Sequence, residues 1–163
     1  MDIRIILADY LNEQQAKDIV FLLNCYAIDP TGGGTELDEY VKNNLAAELA
    51  KIPKAFSVLC YVDRKPAGLV NCFEGFSTFK CKPLINIHDI IVAQEFRGLG
   101  ISQKLLKKVE QIAKEKGCCK LTLEVLEGNT NAQKAYIKFG FSGYELNPVM
   151  GKALFWEKPI SVK

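Results

Sequence analysis

The stretch that most constrains this chain is Phe96-Arg97-Gly98-Leu99-Gly100-Ile101-Ser102, which stands between a largely apolar run, Ile85 to Val92, and a helical pattern beginning at Ile101. The order is strand, glycine turn, helix. Two glycines separated by one residue leave their amides without side-chain cover and tolerate positive φ, so successive N–H groups can converge on an anion at the positive end of the helix. The stretch therefore reads as a pyrophosphate cradle. A Walker loop needs Gly-Lys-Ser/Thr at its end, and a dinucleotide fingerprint needs a third glycine where Gln103 stands, so both fit less well. A plain strand-to-helix turn with incidental glycines is the competing account of these residues taken alone.

With 163 residues, the chain has the size of one ordinary domain able to bury a core, and residues 1–163 are expected to form a single domain. A formal net charge of +2 is too small to argue for nucleic acid or an anionic membrane as partner. No apolar run has the length of a membrane span, and Asp2 and Arg4 sit in a strand-like segment instead of a signal peptide, so a cytoplasmic location is expected. Of the six cysteines, Cys25, Cys60, Cys72 and Cys81 are scattered and Cys118 and Cys119 are adjacent. With His88 as the single histidine, a zinc site of the usual spacing cannot be assembled. No metal is expected, and the thiols are expected to be buried and reduced.

Ile3 to Leu7 is β-prone, and Asn12 with Gln15 forms a capping-box signal for an amphipathic helix carrying Ala16, Ile19, Val20, Leu23, Tyr26 and Ala27 on one face. Asp29-Pro30 ends it, Gly32-Gly33-Gly34 reads as a flexible joint, and Thr35 with Asp38 is placed to cap a second helix striped by Leu37, Val41, Leu45 and Leu49. From Ala55 the period changes. Phe56–Val62 and Ala67–Phe73 read as strands joined by an Asp63-Arg64-Lys65-Pro66 turn, with Phe76–Pro83 an aromatic connection and Leu84–Val92 the third strand of the meander. Ile101, Leu105, Leu106, Val109, Ile112 and Ala113 make the buried face of the next helix, and Lys104, Lys107, Lys108 and Lys114 its outer face. Leu121–Leu126 is then a strand parallel to its predecessor, Asn131–Phe139 a helix, and Phe141–Leu146 and Leu154–Lys158 the last strands. An antiparallel meander feeding a β-α-β unit gives an α/β chain with one mixed sheet covered by helices.

The glycine stretch resembles the acyl-CoA-binding motif of the Gcn5-related N-acetyltransferases, Arg/Gln-x-x-Gly-x-Gly/Ala, met here by Gln94 or Arg97 through Gly98 and Gly100. Leu121 to Asn129, then Asn131-Ala132 and Ala135-Tyr136-Ile137-Lys138-Phe139-Gly140-Phe141, are similar to that family's second block. The resemblance covers roughly Leu84 to Phe141, and the amino-terminal third only by element order. It implies the acyl-CoA N-acyltransferase fold, with a mainly antiparallel sheet that splays between Leu84–Val92 and Leu121–Leu126 to admit a pantetheine arm. It implies acetyl-CoA as cosubstrate, contacted by Arg97, Gly98, Leu99, Gly100, Ile101 and Ser102. Amides of Ile90, Ile91 and Val92 would face the acetyl carbonyl, Asn129 the pantetheine arm with Ala132 beside it, and Tyr136 would protonate the leaving sulfur. The region between the first two helices borders the acceptor site in that family.

Alternation along Leu84–Val92 puts Asn86, His88, Ile90 and Val92 on one face and Ile85, Ile87, Asp89 and Ile91 on the other, unless a bulge intervenes. Polar groups in a central strand cost about 1–3 kcal/mol each unless paired, which makes His88 and Asp89 informative. One account is a satisfied core histidine with Asp89 capping nearby backbone. The other follows the resemblance, in whose polyamine-acetylating branch a glutamate aligns with His88 and is followed by the same Asp. An amine acceptor must lose a proton before attack, and the candidates for that proton are His88 first, Asp89 second and a water relay third.

Two functions of different class follow. The first is an enzyme moving an acetyl group from acetyl-CoA directly to a primary amine of a small molecule, polyamine or amino-acid-like, with a protein amino group as a further acceptor. Phe76-Ser-Thr-Phe79, Lys82-Pro83-Leu84 and His88-Asp89 look most like the polyamine branch, and Glu36, Asp38, Glu39 and Glu74 are acidic residues able to attract a polycation. The second is a non-catalytic acyl-CoA-binding module, which would keep Gly98, Gly100 and Asn129 without needing His88 or Tyr136. The resemblance also leaves a homodimer through the carboxy-terminal strands open.

Overall fold

Apolar runs, buried continuously through the central strands, bring five strands into one sheet, β1 (Ile3–Leu7), β2 (Ala55–Val62), β3 (Lys65–Ser77), β4 (Lys82–Val92) and β5 (Leu121–Leu123), in the order β1-β2-β3-β4-β5. The computed structural model describes residues 1–161; Val162 and Lys163, the end of the expected single domain, lie outside the described residues. The first four strands pair antiparallel and β5 joins β4 in parallel, as a strand reached through the crossover helix α3 (Ile101–Glu115) must. The chain divides into two compact units, Met1–Leu126 and Glu127–Lys163.

In the first unit, α1 (Glu13–Ile28) and α2 (Glu39–Ala50) belong to one face of the sheet and α3 to the other. Ile19 and Leu22 of α1 cluster with Leu59, Leu69, Ile91 and Ala93 of the sheet. On the opposite face α3 approaches so closely that a Cβ on Gly68 would lie 2.9 Å from Leu105 Cδ1 and 3.0 Å from Ile101 Cγ2. A Cβ there would force the Leu105 side chain or α3 itself to give way. Buried Asp18 on α1 accepts from Tyr61 Oη at 2.7 Å and from Gln14 Nε2 at 3.0 Å, which meets the cost of burying a carboxylate.

Several local expectations are corrected. Asn12 caps α1 by accepting from Gln15 N, but the Gln15 side chain accepts from Asp9 N instead of closing the box on the cap. The second helix begins later than Thr35, because Thr35 N donates to Ala27 O and Leu37 N to Asn24 Oδ1; this ties the segment to α1 and leaves Asp38 as the cap. The triple glycine is a tight turn and not a loose joint, with the amides of Gly32 and Gly34 both donating to Asp29 O. The first hairpin turns on Asp63 and Arg64 alone, at φ 47° and 69°, the double positive φ that matches the twist of flanking strands. The aromatic connection Phe76–Pro83 shrinks to residues 78–81, since Ser77 still pairs with Lys82. β5 ends at Leu123, not Leu126.

In the second unit, α4 (Thr130–Phe139) is followed by no regular strand among the described residues. Phe141–Leu146 contributes one isolated bridge, Glu145 to Lys152, and Leu154–Lys158 contributes none. A strand pattern needs a neighbour to pair with, and among the described residues this segment finds only that bridge within its own unit. The thiols are free, with Cys60 and Cys72 buried but Cys81 exposed, contrary to the expectation for all of them.

Candidate functional site

The glycine stretch opens on a single 3₁₀ turn, Gln94–Phe96, and continues through Arg97 in extended backbone. Gly98 and Gly100 then adopt φ 83° and 71°, and an added Cβ at either would meet nothing within 4 Å. Gly100 is the N-cap of α3 and supplies no side-chain cap. The amides at the start of α3 are therefore set for an external anion, and these residues fit the pyrophosphate of acetyl-CoA. Ile101 is buried and reaches the site by its backbone only, while Leu99 is 38% exposed.

Arg97 is engaged with protein. Its Nε donates to Val92 O at 3.3 Å and its guanidinium pairs with Asp29 Oδ2 at 3.2 Å, bracing the loop against the end of α1. The Thr31 hydroxyl and amide, and then Arg97, hold the Asp29 carboxyl below its usual value. Arg97 as a pyrophosphate contact would have to leave or share this pairing.

β4 carries the bulge that alternation alone could not place. Asn71 pairs with Asp89 and Cys72 with Ile87, so His88 is the extra residue. Strand parity flips there. Asp89 joins the α1 face with Asn71, contrary to the unbulged expectation, and His88 stands exposed with its ring 5.6 Å from Phe73 in an edge arrangement. A buried core histidine is thereby ruled out. Ile85 N donates to Lys120 O on the β5 side and Ala93 N to Ala67 O on the β3 side. Counting back from Ala93 by twos, Ile91 N–H faces β3, whereas Ile90 and Val92 N–H face the side that β5 has left. Since β5 pairs only with Ile85, Asn86 and Ile87, the amides of Ile90 and Val92 project into the splay. Ile91, at 5% exposure, is a core residue whose amide is turned away from it.

A polar chain crosses the sheet beneath Asp89. Tyr10 Oη lies 2.8 Å from Ser57 Oγ, Ser57 Oγ donates to Asn71 Oδ1 at 2.7 Å, and Asn71 Nδ2 donates to Asp89 Oδ2 at 2.9 Å. Ser57 and Asn71 are 0% and 4% exposed. Burial pushes the Tyr10 phenol above its usual value, partly offset by the Ser57 hydrogen bond. The Tyr26 phenol is raised by burial and then by the charges of Asp89 and Asp29. Sequence reasoning missed Ser57 and Asn71; the available signal was one such residue in each of the otherwise apolar runs Phe56–Val62 and Ala67–Phe73. The acidic residues expected to attract a polycation are already partnered: Glu36 and Glu39 with Lys42, Asp38 as a helix cap, Glu74 with Lys54 and Lys116.

The remaining predicted residues lie in the second unit. Asn129 caps α4, its side-chain oxygen accepting from Ala132 N at 3.2 Å. Tyr136 packs edge-on against Phe141 at 6.0 Å, and its carbonyl accepts from the amides of Gly140 and Phe141. Among the described residues no cluster suited to a metal ion is present and no helix is long and apolar enough to cross a membrane.

A positive-φ glycine cradle opening a helix, beside a bulged strand with outward amides in a mainly antiparallel sheet, defines an acyl-CoA N-acyltransferase architecture. The sequence pattern of the acetyltransferase (GNAT) family matches residues 19–141, and the chain belongs to that family. It is 43% identical over 96 residues to thialysine N-epsilon-acetyltransferase of Bos taurus, covering 59% of this chain and 53% of that protein. It is 34% identical over 89 residues to an uncharacterized N-acetyltransferase of Methanocaldococcus jannaschii, covering 54% and 39%. The chain thus matches about half or less of the length of these curated relatives. An integron cassette protein of V. cholerae shares the fold at TM-score 0.78 and 19% identity, over 97% of this chain and 94% of that one. An aminoglycoside acetyltransferase from an uncultured soil sample does so at 0.74 and 17%, over 96% and 95%.

Proposed function

We propose that this chain is an acetyl-CoA-dependent N-acetyltransferase, residues 1–163 acting as one domain, that acetylates a primary amine on a small molecule by direct attack. The observation that carries the proposal is the bulge at His88, which turns the Ile90 and Val92 amides outward a few residues before the Gly98–Gly100 cradle. Relatives at 43% identity are named for thialysine, so a lysine-like side-chain amine is the first acceptor to try, with polyamines next.

Acetyl-CoA supplies an activated acetyl thioester. The cradle of Gly98, Leu99, Gly100, Ile101 and Ser102 would hold its pyrophosphate by amides, and Ile90 and Val92 N–H would donate to the carbonyl as negative charge grows on oxygen. His88, exposed beside Phe73, is the first candidate to take the acceptor's proton, Asp89 the second, and a water relay the third. Asn129 is assigned to the pantetheine arm and Tyr136 to protonating the departing sulfur, both on the family pattern. Leu146, Val149, Met150, Leu154, Phe155 and Trp156 are 72–90% exposed, an apolar stretch that fits burial against a second copy of the chain.

The test is release of free CoA from acetyl-CoA across thialysine, lysine, polyamines, aminoglycosides and peptide amines. Turnover with one small-molecule class supports the proposal. Tight acetyl-CoA binding with no turnover of any amine points instead to a non-catalytic acyl-CoA-binding module. His88→Ala should lower the rate most at low pH, where the amine is protonated, and recover as pH rises; equal loss at every pH would make His88 structural.

A further inference from the structure

Asp89 is held in a way its neighbours in β4 are not. Its Oδ2 receives the Asn71 amide at 2.9 Å, and no other hydrogen bond to its carboxylate is present among the described residues. Asn71 is fixed in turn, because its Oδ1 receives the Ser57 hydroxyl proton at 2.7 Å. Ser57 has committed its proton, so its oxygen accepts from Tyr10 Oη at 2.8 Å. The polarity of the chain runs one way, from the phenol to the carboxylate, across β2, β3 and β4. Each donor polarises the next, and the series can end only on an acceptor. Its two middle members are buried, so a lost partner leaves a polar group unpaired away from solvent.

We propose that Asn71 is a positioning residue for acetyl transfer, and that with Ser57 and Tyr10 behind it, it aims Asp89 so that the free Oδ1 receives an N–H of the acceptor amine. This rests on the N-acetyltransferase reading and deepens it. The bulge makes the arrangement work: without the extra residue at His88, Asp89 would fall on the α3 face, away from Asn71 and away from the α1 region where Tyr26 senses its charge. A plain structural hydrogen bond would serve as well between two neutral groups. A chain of three donors, the last two buried, that ends on a half-buried carboxylate with one oxygen left over is an arrangement for holding a charge at one place.

The experiment is a double-mutant cycle on kcat/KM for the amine, with acetyl-CoA affinity and melting temperature measured on each protein. Asn71→Leu should reduce kcat/KM by roughly 10- to 100-fold, the range for a lost hydrogen bond to a charged group, while acetyl-CoA affinity stays within about twofold. Asp89→Asn should reduce it at least as far, and adding Asn71→Leu to Asp89→Asn should cost little more, since Asn71 acts through the carboxylate. The pair Asn71→Asp with Asp89→Asn keeps every hydrogen bond of the chain but moves the charge one strand over; it should melt near wild type and remain inactive. Should Asn71→Leu fail to fold, Ser57→Ala provides the same cycle with a smaller loss. Additive losses from Asn71→Leu and Asp89→Asn, or recovery of activity in the charge-moved pair, would overturn this inference alone. A wild-type protein that binds acetyl-CoA and acetylates no amine overturns the parent reading and this one with it.

Discussion

Replacing Gly100 by valine separates binding from folding in the cradle. At φ 71° the residue sits in the left-handed region, where an L-residue costs about 1–2 kcal/mol. No heavy atom lies within 4 Å of the place a Cβ would occupy, so no packing clash adds to that strain. Folded domains are stable by roughly 5–15 kcal/mol, and the variant should remain folded with its Tm lowered by about 2–8 °C. Acetyl-CoA affinity should fall much further. The isopropyl group takes the open space in front of the loop amides, and each charge-assisted hydrogen bond lost to a phosphate is worth about 1.5–3 kcal/mol, or roughly 10- to 150-fold. Titration calorimetry with acetyl-CoA beside a thermal melt reads both quantities. A folded Gly100→Val protein with wild-type affinity would refute the cradle, because the glycines would then be an ordinary turn.

Gly68→Ala should behave in the opposite sense: its methyl would meet Leu105 Cδ1 at 2.9 Å and the Ile91 carbonyl at 3.1 Å, so chemical denaturation should show a loss of about 1–3 kcal/mol, and an unchanged midpoint would mean α3 is not seated on β3. Tyr136→Phe keeps the ring that packs on Phe141 and removes only the hydroxyl; kcat should fall by about 10²–10⁴ with little change in Tm, and a near-normal kcat would leave Tyr136 a packing residue. Asp29→Asn keeps a capping side chain at the turn and removes the charge that Thr31 and Arg97 stabilise. Because that carboxyl titrates below its usual value when folded, the stability difference between wild type and Asp29→Asn should be full at neutral pH and vanish as pH falls below about 4. A difference that does not vary with pH in urea melts would assign it to something other than the charge.

Residues whose signals are local are legible in the sequence by itself. The cap at Asn12, the buried stripe of α3 and the pairing of positive-φ glycines ahead of it depend on neighbours within a turn or two of the chain, and the same backbone chemistry acts wherever such a segment sits. The family pattern lies in this class, which is why Leu84 to Phe141 carries the resemblance. What only the tertiary structure decided depends on register. Whether His88 or Asp89 shares a face with Asn71 is fixed by one extra residue in the β3–β4 pairing, and a shift of one residue turns every later side chain over. The Tyr10–Ser57–Asn71–Asp89 chain joins residues as far as 47 positions apart in one of its bonds. Two polar residues in two apolar strands cannot announce each other until pairing brings them opposite. The same holds for the carboxy-terminal stretch, whose alternating apolar residues promise strands that its own unit, among the described residues, supplies with a single bridge. A helix carries its hydrogen bonds within itself, whereas a strand is completed by its neighbour, and the identity of that neighbour is not written in the strand.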